Sequence, residues 1–327
     1  MRKILTIALV ALMAASLFAG VKTSGYVQGT VHADFDDGAD AVLFAKDSDN
    51  KAQVNITDEN KVWGTSITAQ SDKFITKTWL DVMKVAKSEG DVAVKVNFLT
   101  WDRITTLSAY TNNADDVNTW RLRTDNQGEG VNVELGFQKM VKAQVGMQFY
   151  EGTMTADNRE DKMSLLASVL ATPVDGVKAS FGYRLYDFDA DNAKTGFVVA
   201  AEADVAKLAD LDFSLAAGVA YKKLEASDDG QLTAQVFGEY EGISGYVELG
   251  FLDVENYARV GANYAFNDKV DAGAYVAFYD YSDIDFDVNV LLGAEANYKL
   301  TDAISFYGFV EYLGKNIDVE ARCKVKF

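Results

Sequence analysis

Residues 317–327 read IDVEARCKVKF, and they constrain the chain more than any other stretch. Ile317, Val319, Ala321, Cys323, Val325 and Phe327 are apolar or soft, and every residue between them is charged. An extended strand sends successive side chains to opposite faces. This segment therefore has one greasy face and one fully ionised face. The same period of two recurs through much of the chain, in DVAVKVNF, VNVELGF, VKAQVGMQF, VKASFGYRL, LDFSLAAGVAY, YARVGANYAF, KVDAGAYVAF and VNVLLGAEANYKL. Such alternation marks strands with two different solvents on their two faces.

Length narrows the possibilities. The longer runs last 9 to 13 residues. Strands of soluble domains average about 5 to 6 residues, whereas tilted strands that cross a bilayer need about 9 to 11. Hydrocarbon cannot hydrogen-bond an open sheet edge, so strands cross it only as a closed barrel. The connectors support that geometry. Short turns at 138–140, 173–176, 241–243, 267–269 and 300–303 alternate with longer, more acidic links at 151–161, 188–195, 225–231 and 281–285. One rim of short turns and one of longer loops is the arrangement of bacterial outer-membrane barrels. The expected fold is all-β, a transmembrane antiparallel up-and-down barrel over residues 20–327. Chain length divided among strands and connectors predicts 18 strands, within 16 to 20. A barrel of that size leaves an aqueous bore.

Aromatic residues gather near strand ends, as girdles at lipid–water boundaries do. Phe149, Tyr150, Tyr186, Phe188, Phe251, Phe278, Tyr279 and Tyr281 fall toward the long-loop rim. Phe137, Tyr240, Tyr264, Phe266, Tyr298 and Phe327 fall toward the short-turn rim.

The N-terminus reads as a cleavable secretory leader over residues 1–19. Arg2 and Lys3 precede the apolar run ILTIALVALMAA, and SLFAG offers small residues for cleavage after Ala19. That run is too short to span a bilayer. Its removal takes the formal charge from -18 to -20. So acidic a chain does not suit nucleic acid. A single cysteine, Cys323, excludes an internal disulfide framework, and a single histidine, His32, leaves little for a zinc site. No cofactor and no metal is expected. The loop DFDADN (187–192) begins like a calcium loop, but Asn192 stands where glycine is needed and Val198 where glutamate is needed, so the motif is rejected.

The terminal aromatic, with Val319, Ala321, Cys323 and Val325 at alternate positions before it, resembles the C-terminal assembly signal of bacterial outer-membrane β-barrels of the porin type. The resemblance implies recognition by the barrel-assembly machinery and residence in the outer membrane of a diderm bacterium. It rests on the last strand and on the architecture. A homotrimer is a candidate assembly.

The first strand is expected at 26–35, followed by a loop over 36–50 and strands near 52–57 and 62–69. The stretch 71–90 is ambiguous. Ile75, Trp79, Val82, Met83 and Ala86 follow helical spacing, Ser71 could cap and Gly90 could end the helix, so one short helix near 71–88 is the favoured reading.

Parity assigns candidate pore-lining charges: Arg121, Arg123, Glu134, Lys142, Lys178, Arg184, Glu202, Asp212, Lys222, Glu239, Glu248, Arg259, Asp271, Glu295, Lys299 and Glu311. Gly136, Gly146, Gly182, Gly218, Gly250, Gly261, Gly273 and Gly293 share that face. Both signs of charge among small residues suit a wet bore that passes small hydrophilic solutes and ions. Acidic loops predict a mild preference for cations. Tyr150, Tyr186, Tyr246, Tyr275 and Tyr307 share the inward parity and could stack sugars, although padding is the commoner role of such rings. A hydrolytic barrel would need a base; His32 with Asp34 is the one pair available, and no serine partner or G-x-S-x-G accompanies it. An enzyme is therefore not expected. A structural or adhesin-like barrel without an open pore is the remaining rival.

Overall fold

A computed structural model describes residues 20–35, 42–44, 50–70, 73–85, 91–98, 130–138, 140–148, 164–186, 194–223, 230–252, 256–282, 284–285, 289–314 and 316–327. The leader, Arg121, Arg123, Phe149, Tyr150, Phe188 and the loop 187–192 lie outside the described residues.

The strands are β1 (Val21–Phe35), β2 (Val42–Phe44), β3 (Lys51–Asp58), β4 (Trp63–Gln70), β5 (Lys73–Asp81), β6 (Val92–Phe98), β7 (Gly130–Phe137), β8 (Val141–Gln148) and β9 (Ser164–Val174). They continue as β10 (Val177–Tyr186), β11 (Lys194–Asp204), β12 (Ser214–Lys223), β13 (Gly230–Tyr240), β14 (Ile243–Leu252), β15 (Asn256–Ala265), β16 (Val270–Phe278), β17 (Val290–Lys299), β18 (Ile304–Leu313) and β19 (Asn316–Lys326). Among the described residues there are also two short helices, α1 (Val82–Val85) and α2 (Val205–Ala209).

From β3 onward each strand pairs antiparallel with the next, and β19 returns to pair with β1 from Ile317↔Phe35 to Lys326↔Tyr26. The terminal residue extends that seam: Phe327 N donates to Gly25 O at 3.0 Å and Gly25 N to Phe327 O at 2.9 Å. On its other side β1 meets β3 along Val21–Gln28 and β2 along His32–Asp34. The two short strands thus share one position, which makes an 18-strand closed barrel. Between them, Thr30 N donates to Asn50 Oδ1 at 2.8 Å, so a side-chain amide bridges the break in the ladder.

The connectors alternate by rim. Links at 59–62, 138–140, 175–176, 241–242, 266–269 and 300–303 lie on the rim that holds Phe327. The β13–β14 turn needs only Glu241 and Gly242, with φ of 48° and 81°. Positive φ at both residues is what a two-residue hairpin turn requires to match strand twist. Helix α2 lies on the same rim between β11 and β12. Asp204 Oδ1 accepts from Lys207 N at 3.0 Å at its start.

The side chains are arranged inside out relative to a soluble domain. On β8, Val145 is 63% exposed while neighbouring Gln144 is 1% exposed. The crowded inner face carries Gln144, Arg184, Glu248, Arg259 and Glu320, all buried, and the open outer face carries Phe181, Val219, Val247 and Val310. Folding driven by water alone would put the aliphatic face inward. Among the described residues, no helix is long and apolar enough to cross a membrane; the strands offer the apolar surface. Phe137, Tyr240, Tyr264, Phe266, Tyr298 and Phe327 are all exposed near the short-turn rim, as a girdle requires.

Several expectations are corrected. Residues 73–81 form strand β5, and the favoured helix shrinks to one turn at 82–85. A full helix would have stripped β4 of its partner, leaving its backbone groups unpaired against lipid; instead Trp63–Gln70 pairs throughout with Lys73–Leu80. The expected loop at 36–50 contains β2. Asp212 stands in the link between α2 and β12, because the chain turns through a helix before the strand begins at Ser214. Tyr279, placed in the outer girdle by position, packs its ring 5.9 Å from that of buried Tyr257.

Candidate functional site

The inner wall of the barrel is the candidate site, and strand parity builds it. Glu134, Lys142, Lys178, Arg184, Glu202, Lys222, Glu239, Glu248, Arg259, Asp271, Glu295, Lys299 and Glu311 occupy inward positions on their strands. Cross-strand register then sets the neighbours. Lys178 faces Glu202 and their side chains pair at 2.8 Å. Glu248 faces Arg259 on one side and Gln235 on the other, and Gln235 Nε2 donates to Glu248 Oε2 at 2.9 Å. Asp271 accepts from Asn297 Nδ2 at 2.9 Å and from Asn263 Nδ2 at 3.4 Å. At the short-turn rim, Lys299 Nζ lies 2.8 Å from exposed Asp302, whose carboxyl is held below its usual range by that hydrogen bond.

Among the described residues, the inward tyrosines Tyr246, Tyr275 and Tyr307 hold charges. Arg259 lies 4.0 Å from the ring centre of Tyr275 and 5.9 Å from that of Tyr246. Such contacts stabilise a desolvated guanidinium. Tyr275 Oη donates to Glu311 Oε1, and Tyr307 Oη donates to Glu295 Oε2 at 2.9 Å. Cross-strand glycines make room for the rings. A Cβ on Gly261 would sit 2.5 Å from the Tyr246 ring, one on Gly64 2.8 Å from Trp79, and one on Gly293 would collide with Tyr275. His32 lies on β1 opposite Glu320; its side chain and those of Asp34 and Tyr186 lie outside the described residues.

Counting charges misses the amides. Gln144 Nε2 donates to Asn132 Oδ1 at 2.8 Å on the inner face of β7 and β8. Tyr257, inward beside Arg259, is missed as well. Strand parity alone would have found all three.

A cavity of about 1160 Å³ opens at the short-turn rim beside α2. Asp175, Glu202, Asp204, Asp210, Asp212, Glu239 and Glu241 line it, against Lys178 and Lys207. Lys207 pairs with Asp175 at 2.6 Å.

Comparison with solved structures gives the same architecture. A mutant of the Rh. blastica porin matches with a TM-score of 0.58 at 15% identity, over 94% of this chain and 100% of that one. The fold is that of the porins. A Rhodopseudomonas blastica porin triple mutant matches the porin fold seen here with a TM-score of 0.55 at 12% identity over the same shares. A structure described as "Asymmetric conductivity of engineered proteins" gives 0.56 at 13%, again over 94% and 100%. No protein-family model and no curated protein matches the sequence.

Proposed function

We propose that this chain is a porin in the outer membrane of a diderm bacterium, forming a water-filled channel. Small hydrophilic solutes and ions cross it by passive diffusion, with a mild preference for cations. The observation that carries the reading is the inversion of the barrel: polar and charged residues crowd the inside while aliphatic residues stand exposed outside. Eighteen strands enclose more space than these side chains fill in smaller barrels. A leader over residues 1–19 fits export, and the last strand fits recognition by the barrel-assembly machinery. A homotrimer in the lipid of the outer membrane is the assembly proposed.

Planar-bilayer recording tests the channel. Purified protein should give stable, ohmic current steps in KCl. Silent bilayers containing folded protein would favour a structural barrel without an open bore. Catalysis has no part in this reading, so His32→Ala should leave the conductance steps unchanged.

A further inference from the structure

The strand seam contains a recess with a chemistry of its own. It encloses about 360 Å³ and is lined by Gln28, Asn297, Ser305, Tyr307, Arg322 and Lys324, with Phe309 at its side. Register explains the grouping. Lys324 stands between Gln28 on β1 and Ser305 on β18, and Arg322 stands between Thr30 and Tyr307. Lys51 on β3 faces Gln28 and extends the basic row.

The two cations are held differently. Arg322 donates to buried Glu320 at 2.6 Å and lies 5.3 Å from the Tyr307 ring centre. Its charge is compensated, yet its side chain is still 33% exposed. Lys324 lies 4.0 Å from the Tyr26 ring centre and makes no ion pair among the described residues. Among the groups that line the recess, Lys324 is thus the cation with no acid beside it. Tyr307 and Phe309, with ring centres 6.0 Å apart, give it an aromatic wall.

We infer that this recess is a subsite for a small organic monocarboxylate in transit. Lys324 takes the carboxylate with the partly exposed Arg322 beside it, Ser305 supplies a further hydrogen bond, and the organic body rests on Tyr307 and Phe309. A carboxylate uses the cation, and its organic body uses the rings. Inorganic phosphate would leave the rings unused. The inference deepens the channel reading, but its binding step stands independently of conductance.

Equilibrium dialysis of the folded full chain in detergent, with benzoate as probe, tests it. Benzoate should bind more tightly than benzyl alcohol or inorganic phosphate. Lys324→Gln should weaken benzoate about tenfold, as expected for one charge-assisted hydrogen bond. Lys207→Gln, at the rim, should bind as the native chain does. Tyr307→Leu should weaken benzoate but not acetate, which keeps the test alive if Lys324→Gln does not fold. In bilayers, benzoate should interrupt the current, and Lys324→Gln should shorten the interruptions. Equal benzoate binding in native and Lys324→Gln protein, equal binding of benzyl alcohol, or tighter phosphate overturns the subsite. Absence of current with benzoate binding intact overturns the channel and leaves the subsite standing.

Discussion

Arg259 and Glu248 show how single residues survive inside this wall. Both are buried, and each faces the other across the β14–β15 ladder. A buried charge is tolerated only with partners, and removing one partner strands the other. Arg259→Ala should therefore destabilise the folded barrel by about 3 kcal/mol, read as a lower urea midpoint in detergent. Glu248→Gln in that background should recover part of the loss, because the stranded charge is then gone. The glycines make a second residue-scale case. Gly293 faces Tyr275 directly, and the ring lies across it while its hydroxyl reaches Glu311. Gly293→Val forces the ring away. It should cost about 1–3 kcal/mol and also release Arg259 from its stacking partner, so Gly293→Val and Arg259→Ala should combine less than additively in urea unfolding. The sequence displayed these charges because period two assigns each residue a face. It did not display the stacking, because a parity rule says nothing about which ring lies on which cation. That depends on register across two ladders.

Strands were the legible elements and interruptions were not. The alternation of β6 through β19 is strong because every second residue answers to lipid and the others to water. Reversing one assignment tests that directly. Val310, exposed in the middle of β18, pairs with Val319 and Ala294 on its neighbours. Val310→Lys should cost about 2–4 kcal/mol of folding into vesicles, measured as the heat-modifiable fraction on a gel, whereas Glu311→Gln next to it should fold normally. The segment 71–88 misled because two patterns overlapped: Ile75, Trp79, Val82 and Met83 keep helical spacing, yet Trp63–Gln70 needed a strand partner. Pairing demand comes from the neighbouring strand, so the periodicity of the segment itself does not contain it. The same holds at β2, three residues long and set in an acidic connector. There, Asn50 lends its amide oxygen to Thr30 N across the break in the ladder. Asn50→Ala should cost about 1–3 kcal/mol, read by urea unfolding, with Asn50→Asp retaining most of the stability through its carboxylate oxygen.

Charge balance belongs to the whole molecule. The chain carries 49 acidic residues against 31 basic ones, and part of that excess gathers at the short-turn rim. Seven carboxylates and two lysines line the cavity beside α2, and both lysines are engaged, Lys178 with Glu202 and Lys207 with Asp175. The remaining carboxylates, Asp204, Asp210, Asp212, Glu239 and Glu241, leave that mouth negative. Among the described inward residues the two signs are mixed, with Lys178 paired to Glu202 and Arg322 to Glu320. Permselectivity should then come from the mouths, and mouths are screened by salt: the Debye length is about 10 Å at 0.1 M and about 3 Å at 1 M. A channel governed this way should give a reversal potential on the cation side in a dilute KCl gradient and lose most of it when both chambers are raised toward molar salt. Replacing Asp212, Glu239 and Glu241 with their amides should cut the dilute-salt potential while changing molar-salt conductance little, because conductance at high salt follows the width of the bore rather than its charge. A potential that ignores salt would place the selectivity deep in the lumen, where charges are partly shielded from bulk ions, and an anion-side potential would overturn the cation preference itself.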